Sequence, residues 1–281
     1  METVAIIGVG LIGGSFGLAL RKAGFGGRIL GVSSPRTIAA AVRRGAIDAG
    51  AEFEDAAARA DLIYLAGPIR AILDAIPKLD GRTRTGALVT DAGSTKRRIC
   101  DAGRNLRGAL FLGGHPMAGK EKRGVEEADA DLFRGRPYLL APARREDLET
   151  PAARTFLSWV ERIGAEPRVV TPEEHDRIVA LSSHLPQMIS TALAAALGEC
   201  SEAESVAGAA GPGLLDMTRL ALSGWDIWQD ILETNRDEIV SALRRFGLTL
   251  EELAREVERG AAGPRFRRGA AFAARLREPG R

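Results

Sequence analysis

The sequence is poor in the residues that most often announce chemistry. Only two cysteines, Cys100 and Cys200, occur in 281 residues. They stand far apart, so neither a disulfide framework nor a metal site is expected, and free thiols point to a reducing, cytoplasmic setting. Histidine occurs three times, at positions 115, 175 and 184. Neither sign of charge dominates: 39 basic residues against 37 acidic ones leave a net charge of +2. That balance gives no electrostatic case for a nucleic-acid partner. No apolar run reads as long enough to span a bilayer, and no signal peptide is expected ahead of the apolar run that begins at Val4. What remains is a chain with 45% hydrophobic residues, long enough for two domains with real cores.

Glycine, by contrast, is abundant and patterned. Val4-Ala5-Ile6-Ile7 reads as a buried parallel strand, and Gly8-Val9-Gly10-Leu11-Ile12-Gly13 follows at once. A helical stretch runs from Ser15 to Ala23 and ends at Gly24. This is the G-x-G-x-x-G fingerprint in the strand–turn–helix context that gives it meaning. Gly8 allows the tight turn, Gly10 lets a pyrophosphate approach the backbone, and Gly13 lets helix and strand pack closely. The amides at the start of the helix, around Leu11 and Ile12, face the phosphates.

The second strand, Arg28–Val32, bears on which dinucleotide fits. NAD sites usually carry Asp or Glu at its end to bond the ribose 2′-hydroxyl. Here Ser33-Ser34-Pro35-Arg36 takes that place. Two hydroxyls and a guanidinium suit a 2′-phosphate, so NADP is expected to be preferred, with NAD possible. Ser34-Pro35 also has the pattern of a helix start, and both readings can hold together.

Up to about residue 171, short apolar strands alternate with helical segments. Strands are expected at 61–66, 87–90, 109–112, 137–141 and 167–170, and helices at 69–79 and 155–163. Such alternation predicts an α/β Rossmann-type nucleotide-binding domain over 1–171, with ligands beyond the carboxyl ends of the strands. Pro68 would then border the cofactor. From 172 to 281 the pattern is helical only: 173–199 with an interruption at Pro186, then 225–246 and 249–259. An all-α domain of this size is expected to gain stability as a homodimer. The arginine-rich tail from Ala261 reads as a solvated or partly ordered end.

The chemistry concentrates in Gly113-Gly114-His115-Pro116-Met117-Ala118-Gly119-Lys120-Glu121. His115 follows an apolar strand, and the flanking glycines predict a loop that can bend toward a ligand. Pro116 biases His115 to an extended conformation. A histidine there is a candidate acid–base group; it could equally make only structural hydrogen bonds.

Together these segments make the chain similar to the prephenate/arogenate dehydrogenases of tyrosine biosynthesis. The resemblance rests on V-A-I-I-G-V-G-L-I-G-G-S at the start, D-A-G-S-T-K at 91–96 and G-G-H-P-M-A-G-K-E-K-R-G at 113–124. S-H-L-P at 183–186, D-M-T-R at 216–219 and W-Q-D-I-L-E-T-N at 228–235 complete it. It implies oxidative decarboxylation of prephenate or arogenate with NADP or NAD, a helical dimerisation domain, and no metal. It implies a base role for His115, a serine near the nicotinamide at Ser94, and an arginine for the ring carboxylate at Arg219. Ser94 reads equally well as the N-cap of a helix starting at Thr95. Gln187 stands where some members carry a second histidine and can hydrogen-bond the substrate side chain without supplying charge. Lys120, Glu121 and Trp228 match pocket-wall positions near the substrate. His184 is expected to anchor packing between domains, and His175 to sit in the first turn of a helix.

No chorismate mutase segment is expected ahead of the chain and no regulatory domain after it, so any control by tyrosine would act at the active site. Three other readings stay open. A β-hydroxyacid dehydrogenase would want a lysine base in the helical half, yet no lysine follows Lys122. A small imine reductase would not need the His115 motif. A non-catalytic NADP-binding sensor would bind the dinucleotide without turnover.

Overall fold

Strand β1 (Thr3–Ile7) is the anchor of a computed structural model that describes residues 1–120 and 122–278. Its apolar run is flanked on both sides by parallel partners, β2 (Arg28–Val32) and β4 (Leu62–Leu65), with β3 (Ala49–Gly50) beyond β2. On the other side follow β5 (Ala87–Asp91), β6 (Ala109–Pro116), β7 (Pro137–Pro142) and β8 (Glu166–Val169). The sheet order is β3-β2-β1-β4-β5-β6-β7-β8. The β6–β7 pair is antiparallel and the other pairs are parallel. Every residue of β4 and β5 is buried, as strands covered on both faces must be.

The covering helices are α1 (Leu11–Lys22), α2 (Pro35–Arg43), α3 (Phe53–Arg59), α4 (Ile69–Leu79), α5 (Arg97–Gly103) and α6 (Pro151–Arg162). Expectation and structure agree closely at β2 and α4. The short β3–α3 unit goes unread in the sequence because β3 is two residues long. Helix α6 starts earlier than expected: Thr150 caps it by accepting the Ala153 amide, and Pro151 stands in the first turn. One apolar layer gathers Val4, Ile6, Phe16, Leu20, Tyr64 and Tyr138. Within it the rings of Phe16 and Tyr64 stack at 4.0 Å. The opposite layer holds Ile63, Leu65, Ile72, Val89 and Phe111, together with Ile231 and Ile239 from the second half of the chain. The helical half is therefore packed onto one face of the sheet.

That half contains α7 (Pro172–Val179), a π-helical turn (Ala180–His184), α8 (Leu185–Gly198), α9 (Ala203–Gly208), α10 (Pro212–Thr218), a 3₁₀ turn (Arg219–Leu222), α11 (Trp225–Thr234), α12 (Arg236–Glu258) and α13 (Gly263–Arg275). Thr171 and Glu174 form a reciprocal capping box that starts α7. Pro186 does not interrupt the helix as expected. The missing proline N–H is absorbed by the π turn just before it, and the helix runs on. The expected break at 247–248 is also absent, because α12 passes through Gly247; the helices divide at Asn235 instead. Gly263–Arg275 of the tail is helical, and its Arg265 is paired with Glu252 and Glu256. One further expectation needs correction. The continuous helix Pro172–Gly198 is long and apolar enough, by length and composition, to cross a membrane, and 28% of its most apolar window is buried. Residues 178–198 carry no Asp, Glu, Lys or Arg; the expected interruption at Pro186 split this run in two, whereas the π turn joins it into one helix.

Candidate active site

The strand ends that face one edge of the sheet bring the glycine turn, Pro68, residues 91–94 and His115 to a common side. Gly8 has φ +94°, where a side chain is strained, and a Cβ there would meet the Gly67 amide at 2.8 Å. A Cβ on Gly13 would meet the Gly8 carbonyl at 2.2 Å, whereas a Cβ on Gly10 would meet nothing within 4 Å. Gly13 is therefore required by packing and Gly10 leaves space open. Gly10 is the N-cap of α1, without a side-chain cap and with no acidic residue in the first turn. The amides of the first turn, around Leu11 and Ile12, thus stay available to an anion. Pro68 caps α4 at the neighbouring strand end. Ser33, Ser34 and Arg36 are exposed beyond β2. Ser34 also caps α2, accepting the Thr37 amide at 3.4 Å.

His115 lies within β6 and not on a loop after it. It pairs in register with Leu139 of β7 and is 9% exposed. The two glycines before it serve packing rather than bending. A Cβ on Gly113 would meet Cys100 Sγ at 2.6 Å, and one on Gly114 would meet the Asp91 carbonyl at 2.6 Å. The Gly114 amide donates to Asp91 Oδ1 at 3.1 Å. Asp91 also accepts from the Gly93 amide and from the ammonium of Lys96, and both Asp91 and Lys96 are fully buried.

His115 Nδ1 and His175 Nε2 are 2.9 Å apart, and His175 Nδ1 lies 2.8 Å from Asp176 Oδ1. Asp176 accepts the backbone amides of Lys96 at 2.7 Å and Arg97 at 3.0 Å, so it caps α5 from the helical half. This corrects the alternative reading of Ser94. Helix α5 begins at Arg97, and its N-terminal amides are held by Asp176. Ser94 is half-buried with no side-chain hydrogen bond among the described residues. Asn235 closes the cluster. Its amide nitrogen donates to the Asp176 carbonyl at 2.8 Å and faces His184 Nδ1 at 3.3 Å, and its oxygen accepts from Arg97 Nη2 at 3.2 Å.

All three histidines of the chain are therefore buried in one region, and burial is the main cause that depresses each. His115 is held well below the usual imidazole range by burial, then by the nearby His175, Lys96 and His184. His175 is lowered by burial against the opposing pull of Asp176. His184 is lowered to about 4 by burial. Burial pushes the Asp176 carboxyl up, but the His175 ring and the Lys96 and Arg97 amides together bring it below the usual carboxylate range. The site rests with neutral imidazoles beside an anionic carboxylate.

The other expected residues divide. The Trp228 ring meets His184 edge to face at 5.8 Å, and its indole N–H donates to Ser223 at 2.9 Å. Gln187 is buried and donates to the Leu220 carbonyl at 2.8 Å, which ties α8 to the 3₁₀ turn that begins with exposed Arg219. Lys120 is turned onto Asp129 and the Glu127 carbonyl. Glu121 lies outside the described residues. Sequence reading passed over Asp91, Lys96, Asp176 and Asn235, and gave His175 no more than a place in a helix turn. The capping pattern at Thr171–Glu174 was a visible signal for that turn; what its residues touch was not.

Residues 16–168 match the family model described as prephenate dehydrogenase, nucleotide-binding domain, and residues 171–270 match the prephenate dehydrogenase dimerization domain. Prephenate dehydrogenase of Bacillus subtilis (strain 168) is 31% identical over 275 residues, covering 95% of this chain and 73% of the relative. Among solved structures, prephenate dehydrogenase from A. aeolicus in complex with hydroxyphenyl propionate and NAD+ superposes with TM-score 0.90 at 32% identity, covering 99% of both chains. Synechocystis arogenate dehydrogenase follows at TM-score 0.82 and 28% identity, covering 98% of both chains. With the glycine turn, the buried histidine and both halves of its length accounted for, the chain belongs to the prephenate dehydrogenase family.

Proposed function

We propose that this protein oxidatively decarboxylates a cyclohexadienol, prephenate or arogenate, with a nicotinamide dinucleotide, in tyrosine biosynthesis. The observation that carries the reading is His115: a buried, neutral imidazole at the sheet edge that also carries the open glycine turn. When bound, the nicotinamide supplies the hydride acceptor. His115 takes the proton of the ring hydroxyl as hydride leaves the carbon that bears it, a contribution of ~10²–10⁴-fold. Carbon dioxide then departs from the opposite ring carbon, the electron pair of the broken bond passes through the ring to the oxygen, and that oxygen takes back the proton from His115, so the product is an aromatic phenol. Ser94, with a hydroxyl not committed to capping, is available to the substrate hydroxyl. Arg219 holds the ring carboxylate through its planar fork of donors. Gln187, Lys120 and Trp228 are assigned to the substrate side, with Gln187 acting chiefly through the turn that carries Arg219.

The dinucleotide fits the chain by the test of its glycines: Gly10 leaves room where a Cβ would be, while Gly8 and Gly13 permit the turn. Its phosphates would be held by the amides of residues 10–13, with Pro68 beside the nicotinamide half. NADP is the preferred form in this reading, since no carboxylate stands at Ser33 and Arg36 is exposed nearby. The division of the chain at 171/172 is supported by Thr171, which starts α7 directly after β8. A homodimer is supported by apolar side chains left open in the helical half, among them Leu215, Leu222 and Trp225 at 62%, 88% and 66% exposure. Free cysteines at 100 and 200 fit a cytoplasmic setting.

The deciding experiment follows dinucleotide reduction with prephenate and with arogenate, using NAD and NADP in turn. Reduction with at least one pair, with release of carbon dioxide, is expected. No turnover with any pair in folded protein would overturn the reading.

A further inference from the structure

The proton that His115 is to accept needs a lone pair, and which ring nitrogen carries it is set by what the other nitrogen touches. Asp176 provides the starting point. Its carboxylate oxygens already accept two backbone amides and face the Arg97 guanidinium at 3.3 Å, so it is an acceptor only. His175 Nδ1, 2.8 Å away, must therefore carry the proton and donate it. A neutral His175 then has a bare Nε2, which can only accept. The atom 2.9 Å from it is His115 Nδ1, which must in turn be the protonated nitrogen. The lone pair of His115 is left on Nε2.

We infer that His175 and Asp176 are positioning residues that hold His115 as its Nδ1–H tautomer, with Nε2 presented as the base, through a relay that crosses between the two halves of the chain. His115 belongs to β6, whereas His175 and Asp176 belong to α7. The same carboxylate caps α5, and the Asp176 backbone carbonyl accepts the side-chain amide of Asn235 at the α11–α12 junction. The base is thus set correctly only when the halves are docked. When His115 Nε2 takes the substrate proton, both relay protons stay on their nitrogens and the new positive charge is shared toward anionic Asp176. The titratable groups that act on His115 are His175 from α7, Lys96 from the β5–α5 side and His184 from the π turn; Asp176, Lys96 and Asp91 act on His175. This inference rests on His115 being the base.

The chain's three histidines make the test simple. Nitrogen-15 spectra of histidine-labelled protein contain three imidazoles, and His115→Asn identifies which is His115. In the wild type, His115 is expected to be protonated at Nδ1 and bare at Nε2. His175→Phe removes the acceptor, so His115 should shift toward the Nε2–H form. Turnover on prephenate should fall roughly 10²-fold or more, as a wrong tautomer does, with the substrate Michaelis constant and dinucleotide affinity little changed. His175→Gln, whose carbonyl can still accept from Nδ1–H, should recover part of that loss. Asp176→Asn should move the acid limb of the pH–kcat/KM profile to lower pH, because a negative charge near the imidazolium is gone.

A wild-type His115 protonated at Nε2 would overturn the relay, and so would a folded His175→Phe enzyme with unaltered kcat. The wild-type spectrum needs no variant to fold. If His115→Asn keeps its turnover while the wild-type spectrum shows Nδ1–H, the base reading fails and the relay geometry stands; the two failures are thereby separable.

Discussion

His115 and His175, sixty residues apart in sequence and on opposite halves of the chain, meet ring nitrogen to ring nitrogen at 2.9 Å. The contact joins a β-strand of the sheet to the first helix of the second half, and it places the candidate base under the control of residues that do not share its motif. Its consequences can be measured.

His115→Asn should leave dinucleotide affinity intact, because the phosphates are assigned to the turn at residues 8–13. Turnover should drop by roughly 10²–10⁴-fold, the size of a lost general base. Near-normal turnover would remove His115 from the chemistry.

Arg219→Ala should raise the Michaelis constant for prephenate or arogenate far more than that for the dinucleotide. A lost charge-assisted pair is worth ~1.5–3 kcal/mol, roughly ten- to more than a hundredfold in affinity. Steady-state kinetics at saturating dinucleotide read this directly; an unchanged constant means that another cation holds the carboxylate.

The ratio of catalytic efficiencies with NADP and NAD should favour NADP. Ser33→Asp combined with Arg36→Ala should move it toward NAD, since a carboxylate accepts from the ribose hydroxyls and repels a 2′-phosphate. A wild-type ratio in favour of NAD would refute the assignment of Ser33, Ser34 and Arg36.

Stability should fall as pH drops below about 6.5, the unfolded histidine value. All three histidines are buried and held below that value, His184 at about 4. Between the folded and unfolded pKa values the unfolded chain binds more protons, so acid favours unfolding. Each histidine contributes up to about 1.4 kcal/mol per pH unit within its window. Urea unfolding at pH 7, 6 and 5 should show midpoints that decline with pH, and a flat series between 7 and 5 would contradict the burial of these rings.

Gly17→Ala tests the packing of α1 away from the site. Its Cβ would lie 2.0 Å from the Ala46 carbonyl oxygen, a backbone atom that cannot swing aside. A loss of ~1–3 kcal/mol is expected, seen as a lower Tm with the fold retained.

Local pattern was enough for most of the sheet and for the dinucleotide turn. Apolar runs such as Leu62–Leu65 and Ala87–Asp91 have nowhere to go but a doubly covered strand, and Gly8, Gly10 and Gly13 follow a spacing that backbone sterics impose. Pattern failed where a side chain's partner is remote. The pair Gly113-Gly114 looked like a hinge beside His115, yet both are glycine because Cys100 and Asp91 press against β6. Ser94 looked like a cap, but the cap of α5 comes from Asp176, 80 residues away from Lys96.

By itself the sequence determined the α/β-then-helical order, the glycine turn, the motif that holds His115 and the family resemblance, because each depends on residues close together along the chain. Only the tertiary structure decided that the three histidines are buried in one region, that Lys96 is buried against Asp91, and that Asp176 joins α5, His175 and Asn235. The bonds of Asp176 to the Lys96 and Arg97 amides, and the contact of His115 with His175, join groups that lie 60 to 80 residues apart in sequence. They are made when the two halves dock, water is expelled, and buried groups such as Asp176 and His115 find partners in the other half.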